Sequence, residues 1–270
     1  MSQACRVFPA LSFREVAMAP SARLYSWGAR ALFLGQALGL TPHRNAVGVL
    51  AIGLEAPFEV ACDPADLLAG TRRCRTALIP PNTLHHLSAT TGLMAFLYVD
   101  ARGPDLARLR DLIGDPGLRV GFDLAGEDEL IAVLSRLARG QATWAETKPD
   151  IEMLLAGSGL RPKDSRVRQA LERLHADPAA RPSLETLARG AGLSTSRFIH
   201  LFKAATGVPL RRYKLWIAMG AAMRAVMAGE TLTNAALDSG FASSAHFSAS
   251  FRDMFGMEPS RLAAGRLIAA

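Results

Sequence analysis

The spacing of hydrophobic and polar positions changes once along the chain. From about Leu24 to Asp100 the apolar residues come in short runs. These are VGVLAIGL (Val47–Leu54), TALIP (Thr76–Pro80) and LMAFLYVD (Leu93–Asp100). Gly, Pro, Asn and Asp punctuate them and no helical spacing lies between, which predicts the strands of a sandwich or barrel. After Asp100, Leu and Ile recur at helical spacing. PDLARLRDLIGD (Pro104–Asp115) and EDELIAVLSRLARG (Glu127–Gly140) predict amphipathic helices. The second opens on Glu127, Asp128 and Glu129 and closes on Arg136 and Arg139, the order that the helix dipole favours.

LLAGSGLRPKD (Leu154–Asp164) is small, Gly-rich and then basic, and reads as a linker. Every later segment reads as helix: SRVRQALERLHAD (Ser165–Asp177), SLETLARGAG, LSTSRFIHLFKAATG (Leu193–Gly207), PLRRYKLWIAMGAAMRAVMAG (Pro209–Gly229), LTNAALDSG and FASSAHFSASFRDMFG (Phe241–Gly256). The expected organisation is a domain at 1–155, a linker at 156–163 and an all-α domain at 164–270.

Charge sharpens this division. Residues 161–270 hold 16 Lys and Arg against 8 Asp and Glu, whereas residues 1–160 hold 15 against 16. A basic domain on a neutral one suits a polyanion, with nucleic acid the first candidate; a merely solubilising surface is the alternative. The three cysteines, Cys5, Cys62 and Cys74, form no CxxC pair and no disulfide framework, so a reducing cytoplasm is expected. MSQACRVFPALSF lacks the pattern of a signal peptide. The longest apolar stretch, Ala31–Leu40, is far short of the ~20 residues of a spanning helix, so no membrane partner is expected.

The all-α segment repeats itself. Ala188, Gly192, Phe198, Phe202, Lys203 and Gly207 recur as Ala236, Gly240, Phe247, Phe251, Arg252 and Gly256. Each copy is a short helix with an inward Ala, a Gly turn, a Ser and a second helix, which is the layout of a helix-turn-helix. Ser194 and Ser243 are placed to cap the second helices. In the first copy Phe198, Leu201, Phe202 and Ala205 form the apolar stripe. Thr195, Ser196, Arg197, Ile199, His200 and Lys203 fall elsewhere, offering donors, a methyl contact and a cation to a major groove. The joining helix, about 20 residues at 1.5 Å each, spans about 30 Å. Successive major grooves on one side of DNA lie about 34 Å apart, so two heads could read one face. Tyr213, Trp216, Gly220 and Met223 are expected to hold that helix against both heads.

Over about Asp164–Leu262, GLSTSRFIHLFKAATGVPLRRY and DSGFASSAHFSASFRDMFGMEPSR resemble the AraC/XylS family of bacterial transcription regulators. The resemblance implies recognition helices at about Ser194–Ala205 and Ser243–Phe255. Their DNA-facing positions would be Thr195, Ser196, Arg197, Ile199, His200 and Lys203, then Ser243, Ser244, Ala245, His246, Ala249 and Arg252. It also implies double-stranded DNA and RNA polymerase as partners, and activation as the usual outcome. Two positions depart from the family: Ala218 and Ala249 stand where it usually has Arg. The second helix is therefore poor in long polar side chains, and the first motif is expected to carry most of the base reading.

PHRNAVGVLAIGLEAPFEV (Pro42–Val60) and ALIPPNTLHHL (Ala77–Leu87) resemble the cupin-like sensor domain of the same family. The resemblance implies an α+β chain of two domains. The first would be a β-barrel followed by helices that pair two subunits. A barrel mouth suits a small effector, with Trp27, Phe33, His43, Phe58, His85, Phe96 and Tyr98 as lining candidates. His43, His85 and His86 without a nearby Glu make a poor metal site, so neither metal nor cofactor is expected. A redox pair of Cys62 and Cys74 is less favoured than an incidental role. The leading expectation is a cytoplasmic, homodimeric regulator that senses a small molecule. A cupin-type enzyme lacks any catalytic constellation in this sequence. An interaction protein with a degenerate motif is the third reading.

Overall fold

The computed structural model describes residues 22–37, 39–61, 70–89, 91–100, 103–114, 120–156, 164–176 and 182–260. Cys5, Cys62 and nearly all of the expected linker lie outside them.

The described residues of the sheet-rich domain form ten strands: β1 (Arg23–Trp27), β2 (Arg30–Gln36), β3 (His43–Arg44), β4 (Gly48–Gly53), β5 (Phe58–Ala61), β6 (Arg72–Cys74), β7 (Thr76–Ile79), β8 (Leu84–Ser88), β9 (Leu93–Val99) and β10 (Gly121–Phe122). They form a six-stranded sheet, β1-β2-β9-β4-β7-β10, and a four-stranded one, β3-β8-β5-β6. Among the described residues no ladder joins the two into a closed barrel. The three apolar runs become β4, β7 and β9, the inner strands of the larger sheet.

β4 and β9 are buried at every position, because the sheet is covered on both faces. Side chains alternate across it. Leu32, Leu34, Leu50, Ile52, Leu97 and Val99 point one way, into a core with three helices. Phe33, Val49, Ala51, Ala77, Ile79, Phe96 and Tyr98 point the other way, into a core shared with the smaller sheet and the helical domain. Strands buried on both faces read as continuous apolar runs.

The three helices are α1 (Pro104–Ile113), α2 (Glu127–Ala138) and α3 (Trp144–Leu155). The stripes of α1 and α2, including Leu106, Leu109, Leu130, Ile131, Leu134 and Leu137, are buried against this chain's own sheet. They are thus covered within the chain rather than open to a second subunit. Arg30 clamps α1 to β2 through two bonds to Asp105, at 2.7 and 2.8 Å. Hydrophobic periodicity does not mark α3, since Pro149 interrupts its pattern. Its capping box, Thr143 with Glu146, is the signal that the sequence does carry.

The helical domain comprises α4 (Ser165–Ala176), α5 (Leu184–Gly190), α6 (Thr195–Thr206), α7 (Leu210–Met227), α8 (Leu232–Asp238) and α9 (Ser244–Phe255). It follows the expected element order.

His43 and His85 pack against each other in the smaller sheet, ring centroids 4.2 Å apart and planes tilted by 58°. Burial lowers His43 to about 4 and His85 to about 3 from the ordinary 6.5. Both rings are neutral when folded and gain protons more readily when unfolded. Their contribution to stability is therefore complete above pH 6.5 and falls as pH drops from there toward 4 and 3. Between pH 6.5 and 5 the loss should be roughly 1.5 kcal/mol per histidine, read from urea unfolding. A double His→Gln variant should flatten that dependence.

Candidate nucleic-acid interface and interdomain cavity

In the first motif Ser194 caps α6 by accepting from Arg197 N at 3.4 Å. Gly207 closes the helix in the left-handed conformation, φ +78°. Phe198 and Phe202 are fully buried. That fixes the rotation of the helix and leaves Thr195, Ser196, Arg197, Ile199, His200 and Lys203 all exposed. Neither Arg197 nor Lys203 has an ion-pair partner among the described residues.

The second motif repeats the scaffold. Ser243 caps α9 by accepting from His246 N at 3.1 Å, and Phe247 and Phe251 are buried. Ser243, Ser244, Ala245, Ala249 and Arg252 are exposed. His246 is only half-exposed: its ring lies edge-on to Phe241 at 5.4 Å, and its Nδ1 accepts from Ala242 N at 3.4 Å. Arg252 is paired with Glu258. The first helix thus presents unpaired cations and free donors. The second presents small side chains, a tethered histidine and a compensated arginine.

α7 joins the motifs and also meets the sheet domain. Tyr213 is fully buried beside Phe202. Its hydroxyl lies 2.8 Å from His175 Nε2 on α4 and donates to Asp100 Oδ1 at 3.3 Å. Burial and the Asp100 carboxylate hold this phenol well above its ordinary pKa, while desolvation lowers His175. Trp216 packs on Tyr98 of β9 and Phe255 of α9, at 5.4 and 5.9 Å. Arg212 bonds Asp253 at 2.6 Å and donates to the carbonyl of Arg44. Thr41 N and Oγ1 both donate to Gly256 O, at 2.8 and 3.0 Å. α9 is therefore tied to the sheet domain at its C-terminal end.

Between the domains lies a cavity of about 380 Å³. Leu24, Ala31, Phe33 and Tyr98 wall it on the sheet side, and Trp216, Met219, Met223, Phe255 and Met257 on the helical side. Ser26, Arg30, His175 and Arg224 are its polar groups. Arg30 is already paired with Asp105. Arg224 has no ion pair among the described residues, and desolvation lowers its pKa.

Of the lining candidates that the sequence suggests, only Phe33 and Tyr98 border this cavity. Trp27 packs on Trp144. Phe58 and Phe96 are core, and His43 and His85 pack on each other. Trp216, Gly220 and Met223 line the cavity, and Trp216 also packs on Phe255 of the second motif. Sequence reasoning missed Ser26, Arg30, Met219, Arg224 and Met257. No local pattern marks them, because the cavity exists only where two distant segments meet. Among the described residues no cluster of three or more potential metal ligands occurs.

A sheet domain that shares a cavity with its neighbour, joined to two serine-capped helices each preceded by a shorter one, describes a class of two-domain α+β proteins with a tandem helix-turn-helix. Residues 187–265 match the family described as "Helix-turn-helix domain". Residues 187–265 are thus a helix-turn-helix domain. No curated protein matches the chain. Three solved structures of ToxT from Vibrio cholerae share the fold. An apo variant is 12% identical with a TM-score of 0.59, covering 86% of this chain and 96% of that one. The form bound to an unsaturated fatty acid is 12% identical at 0.55, covering 86% and 94%. The form bound to a methylnaphthyl butenoic acid is 12% identical at 0.54, covering 86% and 97%.

A side chain at Gly256 cannot fit the domain contact. Its φ is +71°, and a Cβ would stand 2.5 Å from Thr41 O and 2.6 Å from His43 Nδ1. Gly256→Val should cost more than about 1 kcal/mol in urea unfolding. Gly192→Ala, at φ +65° but in open space, should cost less.

Proposed function

We propose that the protein is a DNA-binding transcription regulator whose DNA reading is set by a small molecule held between its domains. One observation carries the reading. The domain that exposes two capped helices also supplies, through α7 and α9, half the wall of the interdomain cavity. An occupant there touches Trp216, Phe255 and Met257, and so bears on where α9 sits relative to the sheet and to α6. Two states of that contact, with different affinities for the occupant, suffice for regulation.

On this reading Thr195, Ser196, Arg197, Ile199, His200 and Lys203 contact bases and phosphates in one major groove. Ser243, Ser244, Ala245, His246, Ala249 and Arg252 face the next. α7, at 18 residues, spans about 27 Å, close to the one-turn separation of grooves. Base reading rests mainly on the first motif.

The cavity fits an apolar carboxylic acid, with hydrocarbon against Phe33, Met219 and Met223 and the carboxylate toward Arg224. The acids bound by two of the ToxT structures support this class. Activation through RNA polymerase, a cytoplasmic location and a homodimer on DNA belong to the same proposal. A second copy would raise avidity, through surfaces other than the covered stripes of α1 and α2.

The test is selection of bound sequences from random DNA by the full chain. Two enriched blocks about one helical turn apart support the reading; no enrichment with or without apolar acids overturns it. On the selected site, Lys203→Ala should lower the slope of log affinity against log salt by about one. Arg252→Ala, already paired with Glu258, should change it less. Arg224→Gln should weaken binding of a long-chain fatty acid by roughly tenfold, about 1.4 kcal/mol, in calorimetry.

A further inference from the structure

α7 carries Leu210, Tyr213, Leu215, Trp216, Ile217 and Met219 around most of its circumference, with Arg211 and Lys214 on the remaining side. One side walls the interdomain cavity. Another borders a second, open cavity of about 540 Å³, lying wholly within the helical domain. Ile217 reaches both.

The second cavity lies between α4, α5, α6, α7 and the α8–α9 turn. Leu174, Leu184, Ile199, Leu215 and Ala218 give it apolar walls. Its charged lining is Arg211 and Lys214, and no Asp or Glu lines it among the described residues. Arg211 is exposed and has no ion pair among those residues. Lys214 donates one bond, to Pro182 O at 2.9 Å, leaving its other two N–H groups for a ligand. Glu185 feels the charge of Lys214 but does not line the groove. Ile199, 39% exposed on the outer face of α6, forms part of its rim.

We propose that this groove is a second ligand site, for an amphipathic organic anion. Its apolar body lies along Leu184, Leu215 and Ala218, and its carboxylate sits between Arg211 and Lys214. The volume falls within the range of small-molecule pockets, ~300–1,000 Å³. The charge lining selects anions over cations of the same length. The site does not depend on the interdomain cavity. Its consequence does rest on the DNA-reading proposal: a ligand against Ile199 occupies space beside the first recognition helix and opposes DNA binding.

Equilibrium dialysis of radiolabelled decanoate against the full chain tests it, with decyltrimethylammonium as the cation of matched length. Gly220→Leu fills the interdomain cavity, since Gly220 lines only that one. This variant should still bind one decanoate. Adding Ala218→Phe, which fills the groove, should abolish it. Adding Arg211→Gln and Lys214→Gln instead should weaken it at least about tenfold, and these exposed and half-exposed changes leave the fold intact. Decyltrimethylammonium should not bind the Gly220→Leu protein. The proposal is overturned if that protein binds no decanoate, if the charge and filling variants leave binding unchanged, or if the cation binds equally well. If only the interdomain reading fails, wild type binds one decanoate and Gly220→Leu keeps it.

Discussion

Everything that makes this chain one machine passes through the contact of Trp216 with Tyr98 and Phe255. Aromatic pairs of this kind contribute about 0.5–1.5 kcal/mol each beyond their burial. They do so here at the junction of a sheet, a connecting helix and a reading helix. The hydrogen bonds around them have fixed directions: Thr41 to Gly256, Arg212 to Arg44 and Asp253, Tyr213 to Asp100. Packing supplies adhesion, and the polar bonds supply register.

The two motifs differ in freedom although they share a scaffold. α6 owes its orientation to its own domain, through Phe198, Phe202 and Tyr213. α9 owes part of its orientation to the sheet domain, through Gly256. The side chains follow the same division. α6 carries exposed Arg197 and Lys203, without ion pairs among the described residues. α9 carries Arg252 paired with Glu258 and His246 edge-on to Phe241.

α7 serves both arrangements. Its apolar surface exceeds what its protein neighbours cover, and the excess faces two cavities. Each cavity has apolar walls and cations at its edge: Arg224 in one, Arg211 and Lys214 in the other. Part of the basic character of the last third therefore borders these cavities rather than the outer faces of α6 and α9.

The sequence by itself determined what depends on local periodicity. The repeated Ala–Gly–Phe–Phe–Gly spacing specified two helix-turn-helix units, because helix rotation follows from which residues are apolar. The runs at β4, β7 and β9 specified buried strands for the same reason. The stripes of α1 and α2 were equally legible as apolar, but periodicity does not say what an apolar face meets. They meet their own sheet. α3 was hidden by Pro149, whose cost to the pattern its capping box offsets. The cavities, the packing of His43 on His85 and the clamp at Gly256 belong to the tertiary structure alone. Each joins segments far apart in the chain, Thr41 to Gly256 across 215 residues, and no local pattern encodes a contact between surfaces that only folding brings together.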